Sequence, residues 1–505
     1  MAVYISRASF AVYHLAMGLD WDVIVVGAGI SGIGASYHLA KHCPDRSFTV
    51  LEGRDRLGGT WDLFRYPGVR SDSDMHTLGY GFKPWAHERS IADGPSILAY
   101  LEETVEEFDL GKYLQFGHHI EHANWSSHDS AWTLDVRVDG VVKQIRCGLL
   151  YVCAGYYKYE HGHTPEFAGR DDFSGTIVHP QLWPDDLDVA EQKVVVIGSG
   201  ATAVTLVPEL SKSAQHVTML QRSPTYMAAR SQVDESANKL RELLPETAAY
   251  KITRTKNVTS QQVLYAMTRR SPERIREKLL SHVRAAVGDD MANAHFSPTY
   301  NPWDQRLCLV PNGDLFAAIN AGDATVVTAE IDRFTENGIA LSTGEHLDAD
   351  IIVTATGLEL NTLGGIAVSV DDERVDFGET WTYRGVGYSG VPNLFSTFGY
   401  INASWTLRSD MINAFVCRVL NHMGSIGASA CTPRLRPSDS AMVARPWIDD
   451  FSSGYVQRAR DILPQQGDRE PWRNHQTYVS DRRSLLHSPM DDGVLRFTRR
   501  LKPSG

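Results

Sequence analysis

The stretch that most constrains the fold of this chain is "DVIVVGAGISGIGASYHLA", beginning at Asp22. An apolar run, Val23 to Val26, leads directly into Gly27-x-Gly29-x-x-Gly32 and then into a helical pattern. Each glycine has its own mechanical reason. Gly27 permits the tight turn, Gly29 lets backbone approach a pyrophosphate, and Gly32 lets the helix pack close to the strand. Ile30 and Ser31 open that helix, whose N-terminus meets the phosphates. The next strand ends in "FTVLEG" and puts Glu52 about twenty residues beyond Gly32, where a carboxylate suits an unphosphorylated ribose.

The pattern occurs again. "KVVVIGSGATAV" reads as a strand, Val194 to Ile197, followed by Gly198, Ser199, Gly200, Ala201, Thr202 and Ala203, with alanine in the third glycine's place. The strand after it ends in "HVTMLQRSP", so Arg222 and Ser223 stand where the first unit has Glu52. A cation and a hydroxyl accommodate a 2′-phosphate that an acid would repel. The first unit therefore reads as a site for FAD or NAD and the second as a site for NADPH. Their separation is too long for a small structural repeat. The expected fold is α/β, with two Rossmann-like dinucleotide-binding domains.

The rest of the chain divides around these cradles. Residues 21–155 read as the first part of the FAD-binding domain and 165–350 as the NADPH-binding domain. Within the latter, "NKLRELLPETAAY" and "SPERIREKLLSHVRAAVG" have helical periodicity and predict a helical insertion over about 236–288. "LLYVCAGYY" and "IIVTATGLE" each read as a buried strand closing the first sheet, so residues 351–430 are expected to complete the FAD-binding domain. Residues 431–505, rich in Pro, Arg and Asp, are expected to wrap the surface, and 1–20 form an extension without an assigned role.

Composition narrows the function. A net charge of −12 argues against a nucleic-acid surface. No apolar run approaches the roughly 18–20 residues of a membrane span. The six cysteines are scattered, which fits reduced thiols in a cytoplasmic protein. Without a Cys-x-x-Cys pair, the two-cradle plan does not extend to a flavin disulfide reductase. "GHHIEH" (His118, His119, His122) and "HGH" (His161, His163) lack completing ligands, so no metal is expected.

Two further motifs flank the domain boundary. "FSGTIVHPQLWP" fits Phe-x-Gly-x-x-x-His-x-x-x-Trp-Pro through Phe173, Gly175, His179, Trp183 and Pro184. "GGTWDLFRYPGVRSD" fits Gly-Gly-x-Trp-x-x-x-x-Tyr-Pro-Gly-x-x-x-Asp from Gly58 to Asp72. Together with "NPWDQRLCLVPNGDLF" and "GYINASWTL", the pair resembles the type I Baeyer–Villiger monooxygenases, in the subgroup that includes the ethionamide-activating monooxygenase. The resemblance implies FAD and NADPH as cofactors, molecular oxygen as co-substrate and a small-molecule ketone or sulfide as substrate. It implies attack by a C4a-peroxyflavin that turns ketones into esters or lactones.

The same resemblance assigns residues. Arg306 is the catalytic cation and Asp72 its carboxylate partner. Gln305 stands where the wider family has a lysine. Gly59, Thr60, Trp61, Asp62 and Leu63 contact the flavin, Arg70 and Ser71 lie on the nicotinamide side, and Ile120 meets the FAD adenine through its backbone. His179 and Trp183 pin an interdomain hinge. Trp405 lies beside the substrate and Trp472 touches NADP. A monomer or homodimer is expected. Two alternatives remain open at this point: a flavin-containing heteroatom (S/N) monooxygenase, and a non-catalytic flavin- and NADP-binding redox sensor.

Overall fold

The computed structural model describes residues 18–449 and 451–500. The extension at 1–17 lies outside the described residues. At its end, Asp20 exchanges two hydrogen bonds with the backbone of Arg146, at 2.7 and 3.0 Å.

The first cradle grows from β1 (Trp21–Val26), which feeds α1 (Ile30–His42). Its apolar run is long enough to be buried on both faces, as a central parallel strand must be. Next come β2 (Phe48–Leu51), β3 (Leu114–Gln115) and an antiparallel meander of β4 (His119–Ser126), β5 (Ala131–Val138) and β6 (Val141–Val152). β6 serves two partners. Its first half pairs antiparallel with β5, and its second half pairs parallel with β1. The strand of "LLYVCAGYY" therefore lies inside the first sheet, between β5 and β1, and does not close it.

The second sheet holds β7 (Thr176–Val178), then β8 (Lys193–Ile197), α2 (Ala201–Leu210) and β9 (His216–Gln221). Helices then fill Glu235–Leu243, α3 (Glu246–Arg270), Pro272–Val287 and Asp289–His295, close to the expected insertion and one helix longer. Although they interrupt the second domain in sequence, α3 packs on the first. Arg254 donates to the carbonyls of His76 and Gly79, both at 2.8 Å, and Asn257 donates to the Asp74 carboxylate at 3.0 Å.

The chain re-enters the second sheet at β10 (Ala324–Thr328) and β11 (Ile351–Thr354). The sheet is parallel throughout, in the order β10-β9-β8-β11-β7. This corrects one expectation. The strand of "IIVTATGLE" lies between β8 and β7 in the NADPH-side sheet, so the boundary placed at 350 falls too early. Return to the first sheet begins at β12 (Ala367–Val370), which pairs with β4, and β13 (Leu394–Ser396), which pairs with β6. The first sheet then has nine strands. The long α4 (Trp405–Ile426) packs against α1 and gives the domain its largest core.

The C-terminal segment is more than a surface wrap. Trp472, Leu485 and Val494 are completely buried in the core around α4. Its many charges are admitted by pairing: Arg408 of α4 meets Asp481 at 3.3 Å, and Arg384 meets Asp492 at 2.8 Å. A buried charge without such a partner would be too costly.

Candidate functional site

Between the two sheets runs a cleft of about 1140 Å³, lined by both glycine turns. A Cβ on Gly32 would lie 1.8 Å from the Gly27 carbonyl oxygen, so only glycine lets α1 approach β1 this closely. Gly27 has φ +96° and Gly198 φ +141°, conformations that other residues adopt with strain. Beyond Gly200 there is open space, room for a phosphate against the start of α2. These cradles fit two dinucleotides by their backbone geometry.

Glu52 is buried at the end of β2. One of its carboxylate oxygens accepts the Ala28 N–H at 2.7 Å and the other accepts the Arg54 N–H at 3.0 Å. This fixes the acid at the cleft wall. Arg222 and Ser223 follow β9 as exposed residues on the same cleft, at the corresponding place in the second domain. Ser199 ties that turn together, donating to the Ser223 carbonyl at 3.0 Å.

The Tyr-Pro-Gly motif is where the domains touch. Gly68 has φ +75°, and a Cβ there would press on Glu209 of α2 at 3.1 Å. Burial and the nearby Asp72 push the Tyr66 phenol up to about 12, so it stays neutral. Arg70 pairs with Asp314 of the second domain, while its other terminal nitrogen is buried with no partner among the described residues. The Ser71 hydroxyl is spent locally on the Ser73 carbonyl, at 2.8 Å.

Arg306 and Asp72 face one another in this cleft, with Nε 3.8 Å from Oδ2. Arg306 is 41 % exposed, open enough to touch a ligand. Burial alone would lower its affinity for the proton, but the Asp72 carboxylate together with Tyr156, Tyr455 and Cys308 outweighs that and holds the guanidinium above its ordinary range. Burial holds the Asp72 carboxyl above its usual value even though Arg306 and Arg70 pull the other way. The arrangement is a permanent cation beside a carboxylate that its surroundings only partly stabilise.

The crossover between domains is clamped by the linker. The outgoing chain pairs with the returning one through Lys158 N–H to Glu359 O at 2.8 Å and His163 N–H to Gly357 O at 3.0 Å. His179 sits on this junction. Its Nδ1 accepts the Gln181 N–H at 3.1 Å, which leaves Nε2–H to donate to the Gly357 carbonyl at 3.2 Å. Burial lowers its pKa, which favours that neutral tautomer. A Cβ on Gly175 would lie 2.2 Å from the Asp350 carbonyl, which explains the motif's glycine.

A family model described as flavin-binding monooxygenase-like matches residues 90–364. The chain belongs to that family. A second model, for an NAD(P)-binding Rossmann-like domain, matches residues 25–88 of this monooxygenase. The FAD-containing monooxygenase EthA of Mycobacterium tuberculosis is 48% identical over 486 residues, 96% of this chain and 99% of that protein. The probable FAD-binding monooxygenase AlmA of Acinetobacter baylyi is 45% identical over 481 residues, 95% of this chain and 96% of that one. Among solved structures, a steroid monooxygenase bound to NADP superimposes with TM-score 0.70 at 24% identity, covering 83% of this chain and 88% of that one. A cyclohexanone monooxygenase bound to ε-caprolactone gives TM-score 0.69 at 22% identity, covering 83% and 91%. The chain is thus an enzyme, a flavin-binding monooxygenase with an NAD(P)-binding Rossmann-like domain.

Most of the residues expected at the cofactors and in the catalytic pair line the cleft, but Gly32, Asp62, Leu63, Ala203 and Trp472 do not. Gly32 and Ala203 lie behind the turns, where the helices meet their sheets, and Leu63 and Asp62 are set back from the cleft wall. Asp62 instead binds Arg54 at 2.6 Å and Arg65 at 3.1 Å. Trp472 is also misplaced by the sequence reading. It is fully buried, with Nε1–H donating to Asp439 at 3.0 Å, and does not line the cleft. Trp405 does line it, donating Nε1–H to the Ser31 hydroxyl at 2.8 Å and stacking on Tyr156 with centroids 5.4 Å apart. Among the described residues no group of His, Cys, Asp and Glu could hold a metal, and no helix is long and apolar enough to cross a membrane.

Sequence reasoning missed three contributors. Tyr157, which touches the Thr60 hydroxyl, and Tyr455, which lines the cleft near Arg306, belong to no motif. Gln181 sits inside the linker motif at an unspecified position, yet it is buried and donates to the carbonyls of Lys158 and Tyr159 at 2.7 and 3.1 Å.

Proposed function

We propose that this monooxygenase carries out Baeyer–Villiger oxidation, converting a small-molecule ketone to an ester or lactone with NADPH and molecular oxygen. The observation that carries the reading is Arg306, a cation held by Asp72 in the cleft between the two cradles. FAD supplies the oxygen activation and NADPH the hydride. The chain supplies the rest. Attack on a ketone carbonyl places negative charge on its oxygen, and a guanidinium fixed beforehand stabilises that charge without reorganising. Because an arginine stays charged at any working pH, this stabilisation needs no proton transfer.

In this reading Glu52 takes the FAD ribose, Ile120 the adenine, and Gly29 and the start of α1 the pyrophosphate. Thr60 and Trp61, which line the cleft, would contact the flavin. Arg222 and Ser223 take the 2′-phosphate of NADPH, Gly200 and Thr202 its pyrophosphate, and Arg70 the nicotinamide side. The aromatic wall of Tyr156 and Trp405 limits the size of the substrate. Sulfides are oxidised in the same cleft. Trp183 favours this reading over that of a dedicated heteroatom oxygenase, a class that usually carries Tyr or Phe at that position of the linker motif.

The test is a panel of ketones and thioethers with NADPH, read by product mass against NADPH consumed. Esters or lactones in near-stoichiometric yield are expected. Sulfoxides alone, with every ketone returned unchanged, would assign the enzyme to the heteroatom class.

A further inference from the structure

Asp72 does not by itself aim Arg306. At 3.8 Å the pair is close enough for attraction but too long for a hydrogen bond, so the contact fixes charge without fixing direction. Something else must orient the fork of the guanidinium.

The loop that carries Arg306 is gripped from two sides. Arg269 of α3 binds the Asp304 carboxylate at 2.8 Å and the Trp303 carbonyl at 3.2 Å. From the C-terminal segment, the Ser452 N–H and hydroxyl both donate to the Asp304 carbonyl, at 2.8 and 3.0 Å. Trp303 between them has φ +70°, a conformation that persists only where the surroundings impose it. Two residues beyond Ser452, a short helix (Gly454–Arg458) begins and presents Tyr455 to the cleft. The phenol packs against Phe451, with ring centroids 6.2 Å apart, and Arg458 anchors the same helix by donating to the Leu358 carbonyl at 3.3 Å.

We propose that Tyr455 is a positioning residue of the active site, its phenol oxygen accepting a hydrogen bond from Arg306 and holding the guanidinium in the direction that catalysis needs. The proposal rests on the reading of Arg306 as the catalytic cation. It also makes the C-terminal segment part of the site. Arg306 and Tyr455 line the same cleft, and the Ser452–Asp304 hydrogen bonds hold the stretches that carry them side by side, while burial keeps the phenol protonated despite the neighbouring cation. A phenol accepting from Arg306 still has its own O–H to donate. Its rigid ring on a pinned helix resists the rotation that a long guanidinium side chain otherwise makes.

The test uses the full-length holoenzyme and Tyr455→Phe, which removes one oxygen and keeps the ring. Its first readout is hydrogen peroxide released with NADPH and oxygen but no organic substrate; its second is product per NADPH with a ketone and, separately, a thioether. FAD content and thermal midpoint are measured alongside. Tyr455→Phe should keep both of these, raise peroxide release about tenfold, the scale of one lost hydrogen bond to a charged group, and lower the product yield correspondingly. On an Arg306→Ala background the same change should add nothing, because the group it positions is gone. Wild-type peroxide release in Tyr455→Phe would overturn the proposal. So would an equal increase on the Arg306→Ala background. A wild-type enzyme that makes only sulfoxides, yet leaks peroxide when Tyr455 is changed, would keep this proposal and discard the Baeyer–Villiger reading.

Discussion

At the scale of single residues, the account depends on charges whose positions are set by distant parts of the chain. Arg306→Ala should fold and bind FAD, because the side chain lines a cleft and is no part of the core. Coupled oxidation should fall by a hundredfold to a thousandfold, since removing a preorganised charge from such a centre costs about 3–4 kcal/mol. Product yield per NADPH, with peroxide quantified in parallel, checks this; near-normal coupling would mean that another group stabilises the charge. Arg222→Ala should weaken NADPH binding tenfold or more while leaving NADH almost unaffected, because a charge-assisted contact to phosphate is worth about 1.5–3 kcal/mol. The ratio of kcat/KM for the two nucleotides reads that difference directly, and an unchanged ratio would count against the assignment. Glu52 and Arg222 were legible in the sequence because strand and turn geometry fixes their offset from the glycines. Tyr455 and Gln181 were not. Tyr455 meets the cleft that holds Arg306, and Gln181 meets Lys158 and Tyr159, only through tertiary structure.

At the scale of elements, β1, β8 and the helices after them could be read from the sequence because an apolar strand, a glycine turn and a helical period coincide. The sheet to which β11 belongs could not. Buried parallel strands in both sheets carry the same unbroken apolar pattern, so periodicity identifies a strand without naming its neighbours. α1 carries a pH dependence of its own. Burial, with His42 and Lys41 nearby, lowers the pKa of His38 from the usual 6.5 to about 3. The folded state thus binds fewer protons than the unfolded chain once the pH drops below 6.5. The contribution of neutral His38 to stability is fully present above that value and is lost progressively as pH falls toward about 3. His179, lowered by burial in the linker, acts in the same direction. A profile of thermal midpoint against pH should therefore decline below 6.5, and His38→Leu should flatten part of the decline. An identical slope in the variant would place the acid sensitivity elsewhere.

At the scale of the whole molecule, the two cradles, the crossover and the C-terminal segment form one device around the cleft. The segment's role was hidden in the sequence because its composition resembles that of a solvated tail, whereas Asp481 and Asp492 pair with buried arginines inside the fold. Asp481→Ala tests that matching. It leaves Arg408, which is completely buried, without its carboxylate, and breaking such a pair typically costs about 3–5 kcal/mol. The thermal midpoint should drop by several degrees or more, whereas a surface pair would change it little. The central claim is that this device inserts one atom of molecular oxygen beside a ketone carbonyl. The most direct measurement supplies the wild-type enzyme with NADPH, a cyclic ketone and isotopically heavy dioxygen, and reads the product by mass spectrometry. The account predicts a lactone carrying a single heavy oxygen, located in the ring. Unchanged ketone with NADPH consumed and all the heavy oxygen recovered as peroxide would contradict it.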